Sequence, residues 1–266
     1  MMRCLLDGHV HFYPGVDLGC ALTAGHDNLM RAAGKDAEAE ALPCLLLTET
    51  ARDDAFAELA AGRLVAAGWR VEARPKDPLG LTCTRASDGA QVLIVAGRQI
   101  VTFEMIEILA YGTRSRFEDG RPAAEVLGAL AGASVPAALP WGLGKWIGRR
   151  GQIVSNLLAE RSRPGLMLGD NAGRPYGWPT PPLFGKAASR GVAVLPGSDP
   201  LPLPHAEAGI GRYGARLDVR IDSDRPGLSL CDTLMRSDVK LYTIGRRQSL
   251  IEVFKWQRAY RKRPNA

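Results

Sequence analysis

The chain has 266 residues, 46% of them hydrophobic, which is enough for a sizeable core and lies at the upper end of what one domain holds. Its net charge of +6 is uneven: from Lys240 onward Lys240, Arg246, Arg247, Lys255, Arg258, Arg261, Lys262 and Arg263 face one acid, Glu252, so that segment carries +7 and the preceding 239 residues together −1. Scattered Cys4, Cys20, Cys44, Cys83 and Cys231 argue against a disulfide framework or a cysteine zinc site, and no apolar run suits a membrane span or a signal peptide, so a cytoplasmic location without membrane contact is expected.

The first strand, Arg3–His9, ends in Leu5-Leu6-Asp7-Gly8-His9-Val10-His11. In an extended chain residues i and i+2 share a face, so His9 and His11 are expected side by side with Asp7 on that face too, a metal-site geometry. A helix follows over Asp17–Ala33, a strand over Leu42–Leu47, and a helix over Asp53–Ala67, opened by Asp53-Asp54 and closed by Gly68. Short strands at Arg70–Ala73, Thr82–Arg85 and Val92–Val95, with a turn at Ser87-Asp88-Gly89, read as a hairpin insertion. The remainder alternates: strands Ile106–Ala110, Val135–Leu139, Leu166–Leu168 and Val192–Leu195, and helices Pro122–Ala131, Gly148–Arg161 and Pro181–Arg190. Mostly continuous apolar strands alternating with helices point to a parallel sheet covered by helices. The basic end, Arg247–Arg261, reads as an amphipathic helix docked on the body with a solvated cationic face.

Polar residues suited to chemistry gather at strand ends, where α/β enzymes build their sites: Asp7, His9 and His11; Glu104 and Glu107; Trp141 and Lys145; Asp170 and Asn171; Ser198, Asp199 and His205. The stretch Gly142-Leu143-Gly144-Lys145-Trp146-Ile147-Gly148-Arg149-Arg150-Gly151 follows a strand and is Gly-rich, and Lys145, Arg149 and Arg150 are expected to receive a phosphate there, with Asp170 and Asn171 nearby. A solvated basic helix start is the plainer reading of the same residues.

Asp7-Gly8-His9-Val10-His11 near the start and Gly197-Ser198-Asp199-Pro200-Leu201-Pro202-Leu203-Pro204-His205 near residue 200 together resemble the PHP (polymerase and histidinol phosphatase) family of metal-dependent phosphoesterases. The resemblance covers roughly residues 1–215 and implies an α/β fold, a distorted seven-stranded (β/α)7 TIM-like barrel, with residues 216–266 as a basic C-terminal helical extension. It implies divalent ions (Mn, Zn or Fe) held by His9, His11, Glu104, Asp199 and His205, with Glu107 as the alternative to Glu104, and with Asp199 or Asp7 orienting the attacking water. The expected reaction is hydrolysis of a phosphoester on a phosphorylated small molecule or nucleotide.

The chain departs from the family at Trp141, which stands where a ligating histidine is usual, and no histidine lies between His26 and His205. One or two ions, or none, remain open. Two rival readings follow: a PHP-derived binding or assembly module without catalysis, and an amidohydrolase-type metal hydrolase, for which Lys145 is the single mid-chain lysine on offer. Nucleic acid is a further partner the basic tail would suit, through contacts that weaken as salt rises.

Overall fold

The computed structural model describes residues 3–34, 41–160 and 164–263. In chain order the elements are β1 (Arg3–Val10), α1 (Leu18–Ala33), β2 (Ala41–Leu47), α2 (Ala55–Ala60), β3 (Trp69–Arg74), β4 (Asp77–Arg85), β5 (Gln91–Val95), β6 (Gly97–Val101), β7 (Glu107–Tyr111), α3 (Ala123–Gly132), β8 (Ala137–Pro140), α4 (Gly148–Ala159), β9 (Leu166–Asn171), α5 (Pro182–Ala188), β10 (Val194–Gly197), β11 (Tyr213–Asp218), α6 (Pro226–Leu234), β12 (Tyr242–Gly245) and α7 (Leu250–Arg261). The expected helix end at Arg161 and residues 264–266 of the expected extension lie outside the described residues.

The expected closed (β/α)7 barrel is not found among the described residues. The strands form two sheets, one of seven in the order β12-β11-β1-β2-β5-β4-β3 and one of five in the order β10-β9-β8-β7-β6. The short connection at 102–106 allows β6 and β7 to pair only as an antiparallel hairpin, and β7 also runs antiparallel to β8, so an all-parallel wall cannot form. The sheets meet at two seams bridged by isolated bonds: Asp199 N–H donates to the His9 carbonyl at 2.9 Å, and Gln99 N–H to the Glu49 carbonyl at 2.8 Å.

Three apolar layers hold this arrangement. Leu22, Leu29, Leu45 and Phe56 fill the space between the first sheet, α1 and α2, while Ile108, Leu130, Val154 and Leu168 fill that between the second sheet and α3–α5. Leu6, Leu46, Leu93, Tyr111 and Met167 pack between the sheets, closed at one end by Leu230 and Leu234 of α6.

Local chemistry explains where elements differ from expectation. Helix α2 stops well before Ala67, because Gly62 takes a left-handed conformation (φ +68°) and the Arg63 and Leu64 amides both turn back to the Glu58 carbonyl. The segment expected as a hairpin insertion does form an antiparallel β3-β4-β5 unit, but β5 also pairs parallel with β2 and is integral to the sheet. Residue 215, where the sequence suggests that an extension begins, lies inside β11, which pairs antiparallel with β1.

Candidate metal centre

The end of β1 is not a regular strand. Leu5 and Val10 both pack in the layer against α1, an odd separation that strict alternation forbids, and the register of β1 against β2 shifts between Asp7 and Val10. The inserted residue changes which side chains share a face. His9 and His11 stay together, their Nε2 atoms 3.1 Å apart, while Asp7 does not join them. Instead Asp7 accepts the amides of Ser198 (2.8 Å), Gly211 (2.7 Å) and His9 (3.2 Å), tying β1 to the segments that follow β10. Burial pushes its carboxyl up to about 6 against the opposing pull of those bonds.

Asp199 completes the cluster. It adopts a left-handed conformation (φ +48°) just after β10, and its Oδ1 lies 3.5 Å from His9 Nε2 and 3.8 Å from His11 Nε2. Gly197 permits this approach, since a Cβ there would sit 2.4 Å from the His9 amide nitrogen. Asn171 Nδ2 donates to Asp199 Oδ2 (3.0 Å) and to the Trp141 carbonyl (2.9 Å), fixing the carboxylate. Burial pushes His9 down to about 4; it pushes His11, with His9 beside it, down to about 3. Burial also raises Asp199 to about 6.

These residues fit a divalent ion. Both imidazoles are neutral at pH 7, and their Nε2 atoms converge beside a carboxylate oxygen, while among the described residues neither buried Nδ1 has a hydrogen-bond partner; the tautomer with its proton on Nδ1 would offer both Nε2 lone pairs to an ion. One nitrogen or oxygen from each of His9, His11 and Asp199 lies within 4.8 Å of the others. Two imidazoles and a carboxylate suit Mn, Zn or Fe.

The cluster lies at the floor of a cleft of about 870 Å³. Gln99 Oε1 is 3.2 Å from His9 Nε2, Tyr13 stacks on His11 with ring centroids 4.9 Å apart, and Lys145 Nζ bonds to Glu107 Oε1. Helix α7 forms the far wall with Lys255, Trp256, Tyr260 and Arg261, anchored by an Arg212–Glu252 ion pair at 3.0 Å. Gln99 has no signal in the sequence, because β6 was not expected as a strand; α7 was legible as an amphipathic helix but not as a cleft wall.

Other expected site residues go elsewhere. Glu104 sits in the β6–β7 turn and accepts the Ala123 amide at the start of α3 (3.0 Å), whereas Glu107 faces the cleft. His205 lines the cleft mouth with its side chain 92% exposed. Asp170 is buried in a bond pair with Arg174 (2.8 and 2.5 Å) and accepts the Tyr213 hydroxyl (2.7 Å). Arg150 is bonded to the Gly144 carbonyl at 2.9 Å, and Arg149 points to solvent. Trp141 is buried in the apolar layer shared with α4 and α5 and lines the cleft, where its indole offers no metal-ligating nitrogen.

No protein-family model matches the chain, and no curated protein matches it in sequence. Solved structures that share its fold include two from bacterial and archaeal sources. PsfC from Pseudomonas syringae PB-5123 superposes with a TM-score of 0.59 at 14% identity over 97% of this chain and 99% of that one. The lesion-specific endonuclease PfuEndoQ from Pyrococcus furiosus gives a TM-score of 0.53 at 10% identity over 91% of this chain, which spans only 57% of that protein. Among the described residues no helix is long and apolar enough to cross a membrane.

Proposed function

We propose that this chain is a metal-dependent hydrolase of phosphate esters, with His9, His11 and Asp199 holding a divalent ion of Mn, Zn or Fe. The observation that carries the reading is the convergence of two neutral imidazoles and a carboxylate at the floor of an open cleft. Support comes also from the resemblance of the Asp7–His11 and Gly197–Asp199 stretches to PHP phosphoesterases and from a fold shared with an endonuclease. A divalent ion supplies Lewis-acid polarisation of a phosphoryl oxygen and acidification of water at neutral pH.

The chain's own residues would divide the remaining work. Asp199, held by Asn171, is placed to orient a water beside the cluster. Asp7 positions rather than reacts, since its oxygens are already taken by three backbone amides. Lys255 and Arg261 on the far wall suit the anionic remainder of a phosphorylated small molecule or nucleotide, and Trp256 and Tyr260 offer surfaces on which a ring can stack. Elemental analysis of protein purified without chelators, followed by a phosphoester screen with the metal found, tests the reading. Near-stoichiometric metal that disappears in a His9→Ala/His11→Ala variant supports it; protein that neither carries nor takes up metal ends it.

A further inference from the structure

The metal-site reading leaves one charged pair at the cleft floor without a role. Lys145 Nζ bonds to Glu107 Oε1, and the chain builds this contact deliberately. Glu107 opens β7, its backbone fixed opposite Val101 in the hairpin. The loop carrying Lys145 is fixed too: the Trp141 amide donates to the Gly169 carbonyl (2.8 Å), the Lys145 amide to the Gly142 carbonyl (2.9 Å), and Gly144 turns the chain at φ +75°. The lysine stem lies across Gly142, where a Cβ would stand 2.5 Å from Lys145 Cδ, so any larger residue there would have to shift the stem. Arg150 clamps the same turn through the Gly144 carbonyl.

The pair is electrostatically part of the cluster, since Glu107 and Lys145 both act on His9 and on Asp199. Glu107 is the next acid beside the three converging donors, yet its carboxylate is already neutralised by an ammonium that the fold holds in place. A second divalent ion would have to displace that ammonium and would find few free donors.

Resting on the metal-hydrolase reading, we propose that Lys145 is the built-in second cation of the centre: the site takes one divalent ion, and Lys145 presents a fixed positive charge to a non-bridging oxygen of the substrate's phosphoryl group. Glu107 holds the ammonium in position until the phosphoryl oxygen shares it. Two cations facing one phosphoryl group is what charge neutralisation of the transferred group needs, and a tethered ammonium meets half of that need without a second ligand set.

The test uses the full chain, stripped with chelator and dialysed against excess Mn²⁺, as wild type, Lys145→Met, Lys145→Arg and His9→Ala/His11→Ala. Bound metal is counted by elemental analysis, and inorganic phosphate binding to the loaded protein is measured by calorimetry. Expected are one Mn per wild-type chain, one in both Lys145 variants, phosphate affinity lowered about tenfold or more in Lys145→Met, and recovery to within a few-fold in Lys145→Arg. Two Mn per wild-type chain, or phosphate bound as tightly by folded Lys145→Met as by wild type, overturns the role of Lys145 while leaving the metal site standing. No Mn in the wild type overturns the metal reading, and this inference with it.

Discussion

His9 Nε2 and His11 Nε2 lie 3.1 Å apart at the end of a strand whose register slips by a residue between Asp7 and Val10. Both rings are buried and neutral, and their Nε2 atoms converge, with Gln99 Oε1 3.2 Å from that of His9 and Thr48 Oγ1 3.5 Å from that of His11. Replacing either with alanine removes one of three donors, so metal affinity should fall by on the order of a hundredfold or more. Competition with a chromophoric chelator measures this directly. Affinity unchanged in both single variants would place the metal elsewhere.

Metal uptake should depend on pH in two stages. Asp199, raised by burial to about 6, is protonated first as pH falls, whereas His9 and His11, lowered by burial to about 4 and 3, hold their lone pairs until more acid conditions. Affinity should therefore be flat above pH 6, fall about tenfold per pH unit between 6 and 4 as one proton competes, and fall more steeply below 4. The slope of log affinity against pH is the readout, and a fall of about a hundredfold per pH unit from about 6.5 downward, as both rings take up protons together, would show that the rings are not buried as described.

The His9–His11–Asp199 cluster was legible in the sequence because two of its members sit one residue apart and the third follows a strand in a turn-like Gly-Ser-Asp. What period-two alternation could not show was the bulge at Asp7–Val10, which kept the two histidines together and sent Asp7 to the backbone amides of the seam. The choice between Glu104 and Glu107 turned on where β7 begins: one residue caps α3, the other starts the strand. Strands β6, β11 and β12 went unread: β6 is defined by its hairpin with β7, β11 by pairing with β1, which is distant in sequence, and β12 is short and largely exposed. The barrel expectation came from the resemblance, and the alternating elements pointed only to a parallel sheet; neither carries the strand direction that the β6–β7 hairpin imposes.

Asp7 should matter for stability more than for metal. Asp7→Asn substitutes a donor for an acceptor opposite buried amides of Ser198, Gly211 and His9, leaving at least one of them unpaired at a cost of about 1–3 kcal/mol. Because its folded carboxyl is raised to about 6 from 3.8, the charge itself favours the fold least at neutral pH; stability linked to this group is fully present below 3.8 and is lost as pH rises through about 6. Urea unfolding should show the loss most clearly below about pH 6, because at higher pH the same substitution also removes a buried charge; metal affinity per folded molecule at pH 7 should stay within a few-fold of wild type. An unchanged midpoint combined with abolished metal binding would make Asp7 a ligand.

Gly197 should tolerate no side chain. A methyl there would meet the His9 amide nitrogen at 2.4 Å and the His9 Cβ at 2.6 Å, both parts of a strand with no room to yield. Gly197→Ala should push β10 from β1, destabilise the protein by about 1–3 kcal/mol and separate Asp199 from the histidines, so that metal affinity falls together with stability. Gly128→Ala, on the exposed face of α3 with open space around it, is the matched control: it should leave metal affinity unchanged and raise stability by about 0.5–1 kcal/mol through helix propensity. Equal effects of the two substitutions would dismiss the seam as the element that sets the cluster.

Helix α7 walls the cleft yet buries no side chain of its own, so it rests on a few polar contacts. Ser249 and Glu252 form a reciprocal cap, Glu252 also pairs with Arg212, and the Gln248 amide donates to the Ala172 carbonyl (3.0 Å). The Ser249 amide, with Arg212 assisting, holds the Glu252 carboxyl down to about 2, so its contribution is complete above its ordinary value of 4.5 and is lost only as pH falls towards 2. At pH 7 Glu252→Ala should therefore remove the whole of it. Hydrogen exchange should accelerate across 249–261 while β1 and β2 stay protected, and hydrolysis of a phosphoester should lose affinity for substrate before it loses turnover, as expected of a wall that binds rather than reacts. Faster exchange confined to α7 with KM unmoved would leave the helix docked there for stability alone.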